Sequence, residues 1–249
     1  MGEIMKTNLY DIHNHILYGL DDGSKNLEMS LNMARTAYAD GTRTIIATPH
    51  YNPGVWHKDK EAILERFEEV KQAVQSEFPD LRMFSGCEIF YHRSETPGDY
   101  ANDRIPTLAG GRYVLFEFMP LVEFSKIREA VNVAINNGKI PICAHIERFA
   151  CLVENPDLVY DLADAGSYLQ VNADSITGKT GRKVQKFIKK LMKDRMVDFV
   201  GTDAHADTGN RQMKLQDAYR WVEKKIDRAY ADKIFCENPE CIIRDVYLD

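Results

Sequence analysis

The feature that most constrains the fold is a strict alternation of short apolar runs with segments of helical period. The runs are typical of buried strands and read NLYDIH, RTIIATP, RMFSGCEI, YVLFEF, KIPICAH, YLQVNA and VDFVGTD. Between them apolar residues recur at steps of three or four, for example at Ile63, Phe67, Val70 and Val74. Apolar strands joined by helical crossovers predict a parallel sheet covered by helices, and this α/β alternation along the chain predicts a barrel.

Glycines mark the predicted helix ends. Gly41, Gly138 and Gly166 each follow a helical segment and precede a strand, where glycine readily takes the left-handed conformation that ends a helix. No linker interrupts the alternation, so residues 1–249 are predicted to form a single domain. The longest irregular stretch, residues 91–111, is expected to be a loop between the third and fourth strands.

Composition excludes several functional classes. A net charge of −6 argues against a broad nucleic-acid-binding surface and against attraction to anionic lipid. The N-terminal segment lacks the apolar core of a signal peptide, and no run is long enough to span a bilayer, so a cytoplasmic location without membrane insertion is expected. The 5 cysteines form no C-x-x-C pair, which argues against a disulfide framework.

Residues of metal-ligand type stand at the C-terminal ends of the predicted strands. His13 and His15 share one face of the first strand, because residues i and i+2 point the same way, and two imidazoles at that spacing can chelate one ion. The C-terminal strand ends of a βα barrel converge on one face, so a metal centre is predicted there. The other candidate ligands are Asp22, His50, Glu88, Glu117, His145, Asp203 and His205.

Taken singly, these residues have structural explanations. His145 reads equally well as a core histidine, Glu88 as the partner of an arginine, and TDAH as a turn. Together they would bury carboxylates and imidazoles without a counter-charge, which is costly, so bound cations are the better interpretation. Asp21 is interpreted as a turn or helix N-terminal residue, and His57 and His92 as surface-loop residues.

A set of short motifs carries a family resemblance. DIHNHI, DDG, TPH, CEI, RIPTL, EF, AHIER, QVN and TDAH occur in an order and spacing that resembles the polymerase and histidinol phosphatase (PHP) superfamily. Within it, the chain is most similar to the bacterial PHP-type protein tyrosine phosphatases that regulate capsule and exopolysaccharide synthesis. The resemblance runs from about Tyr10 to NPECII near the C-terminus. RIPTL together with AHIER is the specific part, because H-x-H alone recurs in many metallohydrolases.

The resemblance implies a distorted, TIM-like (β/α)7 barrel with a centre of three divalent metal ions, usually Mn²⁺. Oxygen and nitrogen ligands without thiolate would also suit iron or zinc. Carried onto this sequence, the family's ligands are His13, His15, Glu88 and Asp203 for one ion, Glu88, Glu117 and His145 for a second, and Asp22, His50 and His205 for the third. Glu88 is the expected bridging ligand.

The resemblance also implies a pair of phosphate-binding arginines, which correspond to Arg148 and Arg211. Arg148 lies in a clean match to HIER, and its alternative role is a surface salt bridge with Glu147 or Glu154. TGNRQ departs from the spacing expected after TDAH, so a helix-start role for Arg211 stays open.

The implied function is hydrolysis of phosphotyrosine, with a bacterial tyrosine kinase that controls capsular or extracellular polysaccharide synthesis as the expected protein substrate. In the implied mechanism a metal-bridging hydroxide attacks phosphorus, because bound metal lowers the pKa of water to about 7. A phenolate leaving group, with a pKa of about 10, depends less on a general acid than an alkoxide does, which is consistent with phosphotyrosine. Self-association into a homo-oligomer is compatible with this interpretation.

Three alternatives compete with it. CEIFYHR places Cys87 and Arg93 in the C-x5-R spacing of cysteine-dependent phosphatases, but its bulky residues and the adjacent Glu88 suit neither a phosphate-cradling loop nor a reactive thiolate. Cys87 is therefore predicted to be a packed residue. The same metal centre would also serve a small-molecule phosphoesterase such as a histidinol-phosphate phosphatase, since a fold does not set the substrate. A catalytically inactive metal-bound scaffold is the third alternative, and the intact ligand set argues against it.

Overall fold

The computed structural model describes residues 8–52, 55, 59–91 and 104–248. Within these ranges short strands alternate with helices, as the sequence predicts. The strands are β1 (Leu9–Asp11), β2 (Thr42–Ala47), β3 (His50–Tyr51), β4 (Arg82–Ser85), β5 (Glu88–Phe90), β6 (Tyr113–Glu117), β7 (Ile140–Cys143), β8 (Tyr168–Asn172) and β9 (Phe199–Gly201).

The helices pack outside the strands, and two of the longest, α1 and α2, show how the sequence sets their ends. They begin after Asn26 and Asp59, and each of these side chains accepts a hydrogen bond from the backbone N–H three residues on. The α-helices are α1 (Leu27–Ala39), α2 (Lys60–Glu77), α3 (Phe124–Asn136), α4 (Ala150–Glu154), α5 (Asp157–Asp164), α6 (Ala173–Thr177), α7 (Arg182–Lys193), α8 (Gln216–Lys225), α9 (Arg228–Asp232) and α10 (Asn238–Arg244). A π-helical turn, Lys233–Glu237, joins the last two, and 3-10 turns span Leu108–Gly110 and Ile146–Arg148.

The apolar stripe of α2 is buried, and the glycines predicted to end helices do so. Gly41, Gly138 and Gly166 follow α1, α3 and α5 with φ of +101°, +69° and +94°, the left-handed region that glycine enters without a steric penalty. Both predictions are confirmed.

The strands pair in parallel and form two sheets, which follow one another along one curved surface. Their orders are β1–β2–β4 and β3–β5–β6–β7–β8–β9. The sheets are continuous because β2 leads into β3 across Thr48 and Pro49, and β4 leads into β5 across Gly86 and Cys87. The predicted strand RTIIATP therefore ends two residues early, at Ala47, and the predicted strand RMFSGCEI is interrupted at Gly86 and Cys87.

The last strand returns beside the first. The backbone N–H of Asp203 donates to the carbonyl of His13 at 2.7 Å, and that of His15 donates to the carbonyl of Ala204 at 2.9 Å. Asp11 adds a side-chain link, because its Oδ2 accepts the hydroxyl hydrogen of Thr202 at 2.6 Å. This arrangement confirms the predicted α/β, TIM-like barrel, and its C-terminal strand ends meet on one face.

Some of the predictions concern residues outside the described ranges. Residues 92–103, with His92 and Arg93, and also His57, belong to this group. In the described part of the predicted loop, Leu108 packs against Gly86, where a Cβ would come within 2.7 Å of the leucine side chain. Across the described ranges, none of the helices combines the length and the apolar character needed to cross a membrane.

Candidate metal centre

The predicted ligand residues come together at the C-terminal strand ends. His13 and His15 follow β1, and His145 follows β7, while Asp203 and His205 follow β9. His50 and Glu88 begin the short strands β3 and β5, Glu117 ends β6, and Asp22 lies on the segment before α1. Residues far apart in sequence thus meet because the barrel brings its strand ends to one face.

Among the residues that the structure describes, three groups of ligand atoms are compact enough to hold a cation, with all atoms of a group within 4.8 Å of one another. They are His13, His15, Glu88 and Asp203; His15, Asp22, His50 and His205; and His50, Glu88 and Glu117. The first group is the ligand set implied for one ion, and the second contains the set implied for another. In the third group His50 takes the place expected for His145, so the assignment of ligands to individual ions stays a prediction.

Glu88 lies at the centre of the cluster and is completely buried. Its Oε1 is 2.8 Å from Nε2 of His145 and 3.1 Å from Nε2 of His13. Its Oε2 is 3.1 Å from Nδ1 of His50 and 3.4 Å from Nε2 of His15. One carboxylate therefore contacts four imidazoles, a position suited to the bridging role predicted for it.

The imidazoles of His13 and His15 are oriented through their Nδ1 atoms. His13 Nδ1 lies 3.1 Å from Oε1 of Gln170, and His15 Nδ1 lies 2.7 Å from Oδ2 of Asp21. Because both partners are acceptors, each Nδ1 carries a hydrogen, and in the neutral imidazole each Nε2 then presents a lone pair to the cluster.

The surroundings of these Nε2 atoms show whether a metal ion fits the cluster. In the described ranges, Nε2 of His13, Nε2 of His15 and Oε2 of Glu88 are buried and make no hydrogen bond. Buried polar atoms without hydrogen bonds are costly. Three acceptor atoms that converge without a donor fit a divalent cation, and the nitrogen and oxygen donor set suits manganese, iron or zinc.

The electrostatics of the cluster also favour a bound cation. Burial would raise the pKa of Glu88, but the surrounding imidazoles, His13 foremost, hold it well below its ordinary range. Burial likewise opposes a charge on His15, but the Asp21 carboxylate raises the pKa of His15 well above its ordinary value. Carboxylates that attract protons to neighbouring imidazoles attract a metal cation in the same way, so protons and metal compete for these atoms.

Two arginines contact the cluster through Asp203. Arg148 Nη2 donates to Oδ2 of Asp203, and Arg211 Nη2 donates to Oδ1 at 2.8 Å. About two fifths of each arginine side chain is exposed, 42% and 40%. Arg148 thus pairs with Asp203 and not with Glu147, whose Oε1 accepts the backbone N–H of Asn172 at 2.9 Å.

The alternative role considered for Arg211 is wrong. Helix α8 begins at Gln216, so Arg211 is not a helix-start residue. It lies in the segment after β9 with φ of +58°, and Asp203 and His145 have φ of +52° and +33°. Non-glycine residues rarely adopt this region, and such strained positions concentrate at functional sites.

Sequence reasoning missed several residues that support the ligands. Asp21 is a turn residue as predicted, since its Oδ1 accepts the N–H of Gly23 at 2.9 Å, but its Oδ2 also orients His15 and accepts the N–H of His50. Gln170 accepts hydrogen bonds from His13 and from the N–H of His145. In the sequence Asp21 stands beside Asp22 in LDDGS, and Gln170 lies in the quoted motif QVN, which were the only available signals.

Cys87 is packed, as predicted. It is 1% exposed, its thiol donates to the carbonyl of Pro106, and burial, with Glu88 beside it, raises its pKa well above the ordinary value. A thiol in this state is a poor nucleophile.

Comparison with known proteins places this geometry in context. Residues 9–244 match the family model described as "Capsular polysaccharide synthesis, CpsB/CapC". The chain is 32% identical to the tyrosine-protein phosphatase CpsB of Streptococcus pneumoniae over 242 residues, which cover 95% of this chain and 99% of that protein. It is 32% identical to the tyrosine-protein phosphatase YwqE of Bacillus subtilis over 238 residues, with coverage of 95% and 92%.

A solved structure from the same group of phosphatases is similar over almost the whole chain. A chain from a crystallographic study of YwqE and CpsB, described there as "unique metal-dependent tyrosine phosphatases", superposes with a TM-score of 0.88 at 31% identity, covering 97% of this chain and 96% of that one. The histidinol phosphate phosphatase of Lactococcus lactis superposes with a TM-score of 0.61 at 17% identity, covering 88% and 94%, a likeness of fold alone.

Proposed function

This chain belongs to the CpsB/CapC family, and on that premise we propose that it is a metal-dependent protein tyrosine phosphatase. Its substrate would be a phosphotyrosyl protein in the cytoplasm, a bacterial tyrosine kinase that controls capsular or extracellular polysaccharide synthesis. Three divalent cations, of which manganese is the first candidate, would occupy the ligand cluster.

One observation carries the proposal: the lone pairs of His13 and His15 converge on Glu88 and Asp203 while their Nδ1 atoms are held by other residues. Two histidines buried for packing alone would not be expected to leave both of their Nε2 atoms without a hydrogen-bond donor. The arrangement supports a cluster that holds cations.

The chain's own residues would then position the phosphoryl group. When bound, the cations would supply a hydroxide nucleophile at neutral pH and would stabilise negative charge on the phosphoryl oxygens. Arg148 and Arg211 donate to different oxygens of Asp203, and each arginine side chain is partly exposed. Guanidinium groups match phosphate oxygens bidentately, so these arginines would orient the phosphate and stabilise the transition state.

The test separates metal from thiol chemistry. We expect the purified protein to contain divalent metal, to hydrolyse a phosphotyrosyl peptide, to lose activity with a chelator and to recover it with Mn²⁺. Iodoacetamide should leave activity largely intact, because Cys87 is buried. Inactivation by iodoacetamide with protection by phosphate, or activity insensitive to chelation, would contradict the proposal. Faster turnover of histidinol phosphate than of the peptide would favour a small-molecule phosphoesterase.

A further inference from the structure

Helix α7 carries a concentration of positive charge that the catalytic proposal does not use. It contains Arg182 and five lysines without one acidic residue, in a chain whose net charge is −6. All six cationic side chains are exposed. We name the five lysines the lysine ridge: Lys183, Lys186, Lys189, Lys190 and Lys193.

Within the described part of the chain, most of the lysine ridge has no carboxylate within ion-pair distance. Lys190 contacts Asp194 at 3.3 Å and the hydroxyl of Tyr160 at 2.8 Å. For the other four lysines, no carboxylate oxygen lies within 4 Å among the described residues. Neighbouring like charges on one helix repel, so an anionic partner would relieve a cost that the isolated chain bears.

The lysine ridge borders a groove of about 600 Å³. Val153, Pro156 and Phe187 supply the apolar part of its lining, and the lining cations are all members of the ridge. A concave surface with apolar side chains between cations can enclose the side chains of an extended peptide. A partner with a flat surface would fit it less well.

The groove adjoins the catalytic face. Helix α7 packs against the 3-10 turn that ends at Arg148, and Val153 follows Arg148 by five residues on α4. The N-terminal end of α7 follows α6, which in turn follows Asn172, a donor to Asp203. A peptide whose phosphotyrosine lies at Arg148 would therefore have a short route into the groove.

We propose that the lysine ridge and its groove bind an acidic segment of the phosphoprotein substrate next to its phosphotyrosine, which rests on the proposed phosphatase function. A membrane is the less suitable partner, because the large apolar residues of α7, Phe187, Ile188, Leu191 and Met192, are buried and none is left to enter a bilayer.

The test is a charge reversal near the catalytic end of the ridge. K183E/K186E reverses two ridge lysines, and glutamate early in α7 suits the helix dipole, so folding should be preserved. K224E/K225E reverses two exposed lysines of α8 as a matched control. Each protein is assayed on p-nitrophenyl phosphate, on a neutral phosphotyrosyl peptide, and on the same peptide with an acidic flank placed before or after the phosphotyrosine.

We expect wild type to prefer an acidic-flank peptide and K183E/K186E to lose about 10-fold in kcat/KM on it, through KM, with the other two substrates and the control unchanged. The preference should weaken as salt rises, because ion pairing at the surface is screened. An equal loss on all substrates, or no loss on either acidic peptide, would overturn the proposal.

Two further measurements separate the other outcomes. Fluorescence anisotropy of a labelled acidic peptide without phosphotyrosine reports on the groove alone. If wild type fails to hydrolyse phosphotyrosine yet binds this peptide and K183E/K186E does not, the proposed function fails and the docking surface stands. Binding of wild type to phosphatidylserine vesicles, lost in K183E/K186E without any change in peptide affinity, would assign the ridge to a membrane and overturn the proposal.

Discussion

Asp203 connects both arginines with the ligand cluster. Its Oδ1 lies 3.5 Å from Nε2 of His15 and 2.8 Å from Nη2 of Arg211, while its Oδ2 accepts from Arg148 and Asn172. Burial would raise the pKa of Asp203, but His13 and Arg148 hold it well below its ordinary range. One carboxylate can thus serve as ligand and as anchor for both phosphate-binding candidates.

Arg148→Ala tests the anchor directly. We expect kcat to fall about 100-fold with unchanged metal content, because a donor to the phosphoryl oxygens is lost while the predicted ligands stay in place. Steady-state rates on p-nitrophenyl phosphate and phosphotyrosyl peptide, with metal analysis, measure both effects. Arg195→Ala, which removes an exposed partner of Asp227, is the control and should stay within a few fold of wild type. A similarly small change in Arg148→Ala would reduce that residue to a structural ion pair.

The candidate ligands were predictable from the sequence because residues of metal-ligand type recur at successive predicted strand ends, which a barrel brings to one face. The positioning residues were not. Gln170 and Asn172 are ordinary polar residues of β8, and their roles depend on which strand end each side chain faces after the barrel has formed. Asp21 satisfies a local turn and a distant histidine together, and only the turn has a sequence signature.

Asp198, which is not one of the candidate ligands, provides a test of how stability depends on pH. Burial raises its pKa to about 7 from an ordinary value of 3.8, against an opposing hydrogen bond from the N–H of Leu169. The folded state therefore holds this proton more tightly than the unfolded state, and its stability falls as pH rises from about 4 to about 7.

Asp198→Asn removes the titration and keeps an acceptor for Leu169. We expect this variant to exceed wild type in free energy of unfolding by about 4 kcal/mol at pH 8, and the difference to shrink towards pH 5. Urea unfolding across that range measures the difference. Asp161→Asn, at an exposed position of α5, should run parallel to wild type. A constant offset between Asp198→Asn and wild type would show that ionisation of Asp198 does not affect stability.

At the scale of elements, the order of the strands followed from the sequence, but their number did not. Seven strands were predicted, and the described part of the chain has nine, because one strand ends inside each of RTIIATP and RMFSGCEI and a short second strand begins after a gap of two residues. Thr48 leaves the strand pattern to bond with Asn14: its Oγ1 accepts the N–H of Asn14 and its own N–H donates to the carbonyl of that residue, both at 2.9 Å. Pro49 has no N–H to continue a ladder, which was the only local sign of the break. Contacts between residues 34 positions apart are fixed by the closed barrel, not by the local pattern.

The contact between β9 and β1 leads to a prediction at this scale. A Cβ on Gly201 would lie 2.6 Å from Cβ of His13, so the two elements approach more closely than any side chain allows. We expect Gly201→Ala to lower the free energy of unfolding by about 2 kcal/mol through overpacking and to reduce metal content by displacing His13.

Gly138→Ala separates this effect from backbone strain. A Cβ there meets nothing within 4 Å, but φ is +69°, so the change should cost about 1 kcal/mol of stability without loss of metal. Chemical unfolding and metal analysis of both variants provide the comparison. Full metal content in Gly201→Ala would show that the strand contact does not position the ligand.

At the scale of the whole molecule, the candidate ligands are distributed around the barrel. They come from β3, β5 and β6 and from the segments that follow β1, β7 and β9. Ions bound there would connect strands that lie far apart in the sequence, with helices between them. Because the unfolded chain cannot assemble such a site, binding free energy becomes folding free energy.

We therefore expect Mn²⁺ to raise the melting temperature. Metal at 100 times its dissociation constant contributes about 2.7 kcal/mol per independent site. For a chain of this size that is about 5–10 °C, compared with chelator-treated protein in calorimetric scans at fixed pH. Glu88→Gln keeps the size of the side chain but removes the charge that contacts four imidazoles, so Mn²⁺ should raise its melting temperature far less. Equal shifts in wild type and Glu88→Gln would place the stabilising ion away from Glu88, and no shift in wild type would contradict a cation-binding cluster at these strand ends.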